Sequence, residues 1–230
     1  MPAVLPQRPD LEIAGRSLPA QVVGGDYFDV IELPGGDLLA IVADVSGKGI
    51  QAAIRMSGLQ AMTHSLVYQD LQPGAVLARL NEYLGRGGLR GHFVTACVLR
   101  ISGRGWRVRL ASAGHEAVLL AHADGSSESV EQQGGLPLGL RADQQYPELE
   151  LQLATGDRLL VYTDGLTDTR NRAGEHFGLA RLQARLAEAG PSAAAWLDSL
   201  LAELERHRGE TPWSDDLTAL LLNTHAEGMA

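Results

Sequence analysis

The sequence predicts an α+β domain built on antiparallel sheets. Its predicted elements follow the order strands, two helices, many strands, two helices and one final strand. Short Gly-containing turns join successive strands, which is typical of antiparallel pairing, whereas a doubly wound fold would alternate strands and helices. The 230 residues and the apolar content of 45% are sufficient for a buried core and exclude a disordered chain.

The first third of the chain predicts a hairpin followed by two helices. Strand-like runs cover 11–20, 27–33 and 38–43, and the last two flank the turn Pro34-Gly35-Gly36-Asp37. From Gly49 to Gln69 the apolar residues recur near a 3.6-residue period, which predicts a buried helix. The residues expected to be buried on this helix are Ile50, Ile54, Met56, Leu59, Met62 and Leu66.

The second helix begins at Pro73, the favoured first position, and is expected to end at Leu84. The glycine-rich segment 85–91 then predicts a loop. Further strands are expected at 93–101, 106–111, 117–121, 149–153, 158–163 and 217–222. Helices are expected at 178–189 and 192–207, on either side of Pro191.

The charge balance excludes several classes of partner. Nineteen Lys and Arg against 28 Asp and Glu give a formal net charge of -9, so nucleic acid and anionic membranes would repel the chain. No stretch approaches the roughly 18–20 apolar residues of a membrane span, and the N-terminus lacks a secretory signal. The single cysteine, Cys97, is expected in the core. These features predict a soluble, cytoplasmic protein.

Acidic residues stand where predicted strands end or turns begin. Buried carboxylates are costly unless they are paired or bind a cation, and Mg²⁺ and Mn²⁺ prefer oxygen ligands. A single Asp at such a position more often caps a turn or a helix, and Asp29 and Asp168 are assigned to that role. The candidates for a divalent cation site are Asp26, Asp44, Asp164 and the pair Asp215-Asp216.

Other motif-based functions fail on individual positions. Gly47-Lys48 lacks the earlier glycine of a P-loop and is followed by Gly49 instead of Ser or Thr. The segment 164–175 has the length of an EF-hand loop, but Leu166 and Thr169 occupy positions that need a ligand and a glycine. The chain has no zinc-ligand spacing and no Gly-x-Ser-x-Gly elbow.

An ordered set of short motifs resembles a known family. They are Gly25-Asp26-Tyr27-Phe28-Asp29, Asp44-Val45-Ser46-Gly47-Lys48-Gly49, Phe93-Val94-Thr95, Ala113-Gly114-His115, Gly135-Leu136-Pro137-Leu138-Gly139, Gly156-Asp157, Tyr162-Thr163-Asp164-Gly165 and Ser214-Asp215-Asp216-Leu217-Thr218. Together they resemble the SpoIIE/RsbU-type branch of the PPM (PP2C-like) protein serine/threonine phosphatases. The resemblance predicts a phosphatase domain at 9–224 with terminal tails at 1–8 and 225–230.

The resemblance implies a four-layer α-β-β-α sandwich of two mainly antiparallel sheets flanked by helices, with two Mn²⁺ or Mg²⁺ ions held between the sheets. It implies that Asp44 bridges both ions and that the Val45 carbonyl completes one shell. It assigns Asp164 and Asp215 to the other ion and places Asp26 close to the first. Asp215 is preferred to Asp216 because the first residue of the family's final acidic pair is the ligand.

The implied reaction is hydrolysis of a phosphoserine or phosphothreonine on a signalling protein, by water activated between two metals. Relatives act on phosphorylated STAS-domain anti-sigma factor antagonists in partner switching and are often gated by the two helices after Asp44. A homodimer of this chain is a further expectation. An alternative is a catalytically weak or inactive phosphatase-fold module that docks a signalling partner, which the presence of all four carboxylates disfavours. A metal-dependent phosphodiesterase or nuclease is disfavoured by the charge of -9.

Some positions depart from the family pattern. Ser46 stands where eukaryotic relatives carry a proposed general-acid His, so the leaving-group acid is unassigned. Glu116 and Ala117 follow Gly114-His115 where relatives often carry Pro. His115 is expected to be structural. Lys48 is expected to be solvated, although contact with a phosphate is the alternative.

Overall fold

A computed structural model of the chain describes residues 2, 4–86, 92–130, 132–188 and 190–226. Within that part of the chain it contains ten strands, five α-helices and a 3-10 helix at Val67–Gln69. The strands are β1 (Leu11–Leu18), β2 (Tyr27–Glu32), β3 (Leu38–Val45), β4 (Val94–Ile101), β5 (Arg107–Ala113), β6 (Leu119–Ala121), β7 (Ser127–Ser129), β8 (Glu148–Gln152), β9 (Arg158–Tyr162) and β10 (Leu217–Thr224). The helices are α1 (Ile50–Leu66), α2 (Pro73–Arg86), α3 (Gly165–Asp168), α4 (Leu179–Ala187) and α5 (Ala193–Arg208).

The chain divides into two compact units, each formed from separate stretches of sequence. The first unit comprises Met1–Val4, Gln21–His115 and Gln132–Leu153. The second comprises Leu5–Ala20, Glu116–Glu131 and Ala154–Ala230. Each unit contains one five-stranded sheet, and all the strand pairs within both sheets are antiparallel.

In the first unit, the sheet order is β2-β3-β4-β5-β8, and α2 packs on β4 and β5. The buried face of α2 carries Val76, Leu77, Leu80 and Leu84, which recur at helical spacing and join the core cluster of this sheet. In β3, Asp44 is the only residue that is not buried. The apolar core therefore surrounds the strand that ends in a candidate ligand.

In the second unit, the sheet order is β1-β10-β9-β6-β7. Its core cluster includes Trp196 and Leu200 from α5 together with Leu182 from α4, and all three side chains are buried. Every residue of β10 is buried as well. This core fixes the strands β9 and β10, which flank Asp164 and Asp215.

The structure confirms the predicted α+β class with antiparallel sheets. The hairpin β2–β3 closes through the predicted turn, where Gly36 donates its N–H to the Leu33 carbonyl. The short elements β7 and α3 were not predicted. Helix α2 continues to Arg86, so the predicted loop begins later, and its residues 87–91 lie outside the described residues.

The prediction that all the apolar residues of α1 are buried is wrong for two of them. Ile50 and Ile54 are 73% and 67% exposed, whereas Ala52, Leu59, Thr63 and Leu66 are buried. At about 100° per residue, Ile50 and Ile54 lie on the side of the helix opposite Leu59. The apolar residues of α1 thus occupy two opposite faces, and only one of them packs in the core.

No helix in the described part of the chain has both the length and the apolar character needed to cross a membrane.

Candidate metal centre

In the first unit, Asp26 and Asp44 are held next to each other by the pairing of β2 with β3. Tyr27 lies opposite Ala43, and extending this register by one residue places Asp26 opposite Asp44. Asp26 is buried, with 3% of its surface exposed. Two adjacent carboxylates of which one is buried repel each other, and a bound cation would relieve that repulsion.

Gly25 brings the Val45 carbonyl to the same place. A Cβ at Gly25 would lie 2.8 Å from the Val45 oxygen and 3.1 Å from the Cβ of Ala52, so only glycine fits without displacing the backbone. The segment that leads into Asp26 therefore lies directly against the Val45 carbonyl. The structure brings together the three predicted donors of this unit, which are Asp26, Asp44 and Val45.

In the second unit, Asp164 lies immediately beyond β9, where β9 runs beside β10. Thr163 donates its N–H to the Thr218 carbonyl at 2.9 Å, and its Oγ1 accepts the Thr218 N–H at 2.9 Å. A Cβ at Gly165 would overlap the carbonyl oxygen of Asp216, so this glycine is required for the close approach. Asp164 is thereby held beside the Asp215-Asp216 turn.

Asp164 does not cap a helix with its side chain, which is the usual role of a single Asp at such a position. It stands at the N-cap of α3, yet its side chain makes no capping hydrogen bond. The role of metal ligand therefore stays a prediction for Asp164.

Asp215 and Asp216 have different surroundings. Asp216 is buried, and its Oδ1 accepts the N–H of Ala20 at 2.7 Å, which fastens the segment after β1 to the start of β10. Asp215 is half-buried, and its Oδ1 accepts the N–H of Asp216 at 2.9 Å. The structural contact of Asp216 supports the preference for Asp215 as the ligand.

Glu116 is a residue of this region that sequence reasoning did not identify as part of the site. Burial raises the pKa of its carboxyl, and the charges of Asp164 and Asp168 raise it further. Glu116 therefore lies close enough to the predicted ligand Asp164 for their charges to interact. In the sequence, 47 residues separate the two. No local sequence signal reveals such a neighbour.

Two further motif residues make structural contacts in the first unit. The Oγ of Ser46 accepts the N–H of Phe93 at 2.8 Å, so this hydroxyl extends the pairing beyond β3 and β4. A hydrogen bond of 2.9 Å joins Nδ1 of His115 to Oγ1 of Thr95, and Thr95 is the partner of Asp44 across the two strands. This contact supports a structural role for His115.

The prediction that Asp29 is a turn or capping acid is wrong. Asp29 is buried within β2, where its Oδ2 accepts the hydroxyl of Tyr27 at 3.0 Å and lies 2.8 Å from Nε2 of His64 on α1. A buried carboxylate needs such partners to compensate for its lost hydration. Asp29 thus links α1 to β2. Asp168, by contrast, is exposed at the end of α3 and contacts Nδ1 of His176 at 3.1 Å.

The donors in both units are of one chemical type. They are carboxylate oxygens and one backbone carbonyl, a set that suits a hard divalent cation and contains no thiolate or imidazole. Among the residues that the structure describes, no group of three or more His, Cys, Asp or Glu side chains is arranged to hold an ion by itself. The predicted ligands thus fit Mg²⁺ or Mn²⁺ by donor chemistry, two acids in each unit.

Comparison with known proteins identifies the family of the chain. The family model for stage II sporulation protein E (SpoIIE) matches residues 34–225. The phosphoserine phosphatase RsbU of Bacillus subtilis is 32% identical over 74% of this chain, and the match covers 50% of RsbU. The chain thus spans about half the length of this relative.

Two solved structures have the same fold. The RsbU and RsbW domains of a Mycobacterium tuberculosis protein align with a TM-score of 0.81 and 29% identity, over 95% of this chain and 62% of that one. The SiaA PP2C domain of Pseudomonas aeruginosa aligns with a TM-score of 0.81 and 24% identity, over 92% of this chain and 85% of that one. This chain has a PP2C-like fold, and it belongs to the SpoIIE family, in the SpoIIE/RsbU branch of the PPM proteins.

Proposed function

We propose that this chain is a metal-dependent protein serine/threonine phosphatase. The observation that carries the proposal is the match to the SpoIIE family over 34–225, a range that includes the predicted ligands Asp44, Asp164 and Asp215. RsbU, the relative with 32% identity, is named a phosphoserine phosphatase. The two glycine-enforced contacts, Gly25 on Val45 and Gly165 on Asp216, support it because they orient the backbone at these acids.

The groups that would hold two Mn²⁺ or Mg²⁺ ions are Asp26, Asp44, the Val45 carbonyl, Asp164 and Asp215. Bound divalent cations would lower the pKa of water and neutralise charge on the phosphoryl oxygens. RsbX, which shares this fold at 18% identity and a TM-score of 0.72, has been solved in complex with magnesium. This supports an oxygen-ligated divalent ion in the proposal.

The chain's own residues favour direct attack by water. Burial raises the pKa of the Cys97 thiol to about 12, so this cysteine stays protonated and is a poor nucleophile near neutral pH. The Ser46 hydroxyl accepts the N–H of Phe93 and is thus part of the strand pairing. In the proposed reaction no covalent phosphoenzyme forms, and the acids position and polarise the reactants.

The proposed substrate is a phosphoserine or phosphothreonine on a STAS-type regulatory protein in a cytoplasmic partner-switching system. The similarity to RsbU, which is named a phosphoserine phosphatase, supports the phosphoserine, and the STAS-type protein is what the family resemblance implies. The net charge of -9 argues against a nucleic-acid substrate, since phosphate backbones would be repelled. Homodimer formation is part of the same proposal.

The proposal is tested by phosphate release from an aryl phosphate and from a phosphorylated STAS protein, with and without Mn²⁺. We expect Mn²⁺-dependent turnover by the parent and by an Asp143→Asn control, because Asp143 is an exposed acid outside the site. Asp44→Ala and Asp164→Asn should each lower turnover at least about 100-fold, the scale seen when an electrostatic catalytic group is lost.

Two results would contradict the proposal. Turnover by Asp44→Ala and Asp164→Asn at the parent rate would exclude the assigned acids. Retained binding of the STAS protein with no turnover by the parent under any metal condition would instead favour the docking-module alternative.

A further inference from the structure

We propose that the first unit contains a binding site for a small oxyanion, such as inorganic phosphate, at the end of its sheet remote from Asp44. On β4, Thr95 is the partner of Asp44 and Arg100 is the partner of Leu39. Arg100 is therefore about 16 Å further along the strand, at roughly 3.3 Å per residue. A cavity of about 230 Å³ at that end is lined by Asp37, Gln72, Arg100, Ser102, Arg107 and Arg109.

Arg100 supplies a buried donor that requires an acceptor. Its Nε contacts Oδ2 of Asp37 at 2.7 Å, and its Nη2 contacts Oδ1 of Asp70 at 2.9 Å. Its Nη1 is buried and has no hydrogen-bond partner in the part of the chain that the structure describes. A buried guanidinium N–H without an acceptor is energetically costly, so an anion in the cavity would favour a rotation of the Arg100 side chain that brings Nη1 to it.

Two more arginines supply donors to the same cavity. Arg107 contacts Glu150 through its Nε, which lies 3.5 Å from Oε1. Arg109 contacts Oε2 of Glu150 through its Nε at 2.8 Å, and its Nη1 donates to Oε1 of Gln72 at 3.3 Å. Because a guanidinium carries five N–H groups, both arginines keep donors beyond these contacts. Planar guanidinium groups match the oxygens of phosphate and carboxylate.

Charge and size limit what the ligand can be. Three carboxylates, those of Asp37, Asp70 and Glu150, balance the three arginines, so recognition depends on hydrogen-bond geometry more than on net charge. A cavity of about 230 Å³ accommodates a tetrahedral oxyanion but is smaller than the usual pockets for drug-sized ligands. We therefore expect millimolar affinity, on the order of a few kcal/mol of binding free energy at 1 M standard state.

The backbone beside the cavity has unusual conformations. Among the described residues, the non-glycine residues with positive φ are Asp70 at 48° and Trp106 at 44°. Asp70 pairs with Arg100, and Trp106 directly precedes Arg107. Left-handed conformations of non-glycine residues persist where the surroundings hold them, and they cluster at ligand sites. A bound anion would also join the α1–α2 connection, through Gln72, to β4 and β5.

The test is thermal unfolding of the full chain with 20 mM phosphate or sulfate, against chloride at equal ionic strength, in EDTA. EDTA removes binding that depends on metal at the acidic residues. We expect a rise in melting temperature of about 2–4 °C with either oxyanion, from preferential binding to the folded state. Arg107→Gln and Arg109→Gln should each lose at least half of the rise. Arg104→Gln, an exposed arginine of the β4–β5 turn, should keep it.

Two outcomes overturn the proposal. One is a melting temperature that is no higher in phosphate or sulfate than in chloride, which would mean that water satisfies Arg100. The other is a rise that Arg107→Gln and Arg109→Gln leave unchanged. Circular dichroism establishes that each variant folds.

A calorimetric titration with a phosphoserine peptide distinguishes two sources of the anion. Tighter binding of the peptide than of inorganic phosphate, lost in Arg107→Gln, would assign the bound group to a phosphorylated protein. Equal or weaker binding assigns it to a free oxyanion. Both results are consistent with an oxyanion site. If the oxyanion site proved absent, the proposed phosphatase activity would be unaffected, because no predicted metal ligand lines this cavity.

Discussion

At the residue scale, two glycines place the backbone beside the candidate ligands. Gly25 lies against the Val45 carbonyl, and Gly165 lies against the Asp216 carbonyl. In both cases a Cβ would meet backbone rather than a flexible side chain, so the strain could not be relieved by a rotamer change. The Gly-Asp and Asp-Gly pairs in the motifs are therefore explained by close packing as well as by turn formation.

We predict that Gly165→Ala lowers metal-dependent phosphatase activity by about 100-fold or more, because the new Cβ forces Asp164 and the Asp216 backbone apart. Steady-state hydrolysis of an aryl phosphate measures the loss. Gly35→Ala is the matched control, since nothing lies within 4 Å of a Cβ there. Equal activities for the two variants would show that the Gly165 contact does not position Asp164.

We predict that Asp215→Asn and Asp216→Asn differ strongly. An amide oxygen at 216 can still accept the N–H of Ala20, so Asp216→Asn should keep activity within a few-fold. Asp215→Asn removes a charged ligand and should lower turnover by about 100-fold at fixed Mn²⁺. The two rates are compared at saturating substrate, and a larger loss for Asp216→Asn would reverse the assignment.

The candidate residues were predictable to different degrees. Asp26, Asp44, Asp164 and Asp215 stand in an ordered motif set, and the structure places them where strands begin or end. Glu116 could not be found, because its link to Asp164 depends on the tertiary fold. Asp29 was misassigned because its partner, His64, lies on a helix 35 residues away.

At the element scale, helix α1 shows the limit of hydrophobic periodicity. The helix was predicted correctly, but its apolar residues fall on two faces, and the sequence does not reveal which one packs. The pairing of β1 with β10 joins opposite ends of the chain, and nothing local in the sequence specifies its register. The elements α3 and β7 are too short to show a period.

We predict that Leu59→Ala and Ile54→Ala, on the same helix, differ in their effect on stability. Leu59 is fully buried, so its truncation should lower the free energy of unfolding by about 2–5 kcal/mol. Ile54 is 67% exposed, and its truncation should change that free energy by less than about 1 kcal/mol. Urea denaturation measures both, and similar losses would mean that the exposed face of α1 is covered in solution.

At the scale of the whole molecule, the excess of acidic residues has two parts. Four of the 28 acids are the predicted ligands Asp26, Asp44, Asp164 and Asp215, and the exposed ones among the others contribute to a surface that repels polyanions. A metal that binds only the folded chain stabilises it by mass action. Stability is therefore expected to depend on divalent ions.

We predict that Mn²⁺ at about 100 times its dissociation constant raises the melting temperature by about 5–10 °C, and that EDTA reverses the rise. Differential scanning calorimetry of the full chain measures the shift. Asp44→Asn should abolish it, and Asp143→Asn should leave it unchanged. A melting temperature that responds to neither Mn²⁺ nor EDTA would contradict metal binding by the folded chain.

The most direct test of the central claim is to measure bound Mn²⁺ and turnover of a phosphoserine protein in the same titration. Equilibrium dialysis of the full chain gives the number of ions bound, and phosphate release gives the rate. We predict two Mn²⁺ ions per chain, with turnover rising as they bind, and fewer than two with almost no turnover for Asp44→Asn. Full turnover with no bound Mn²⁺, or two bound ions and full turnover in Asp44→Asn, would contradict the account.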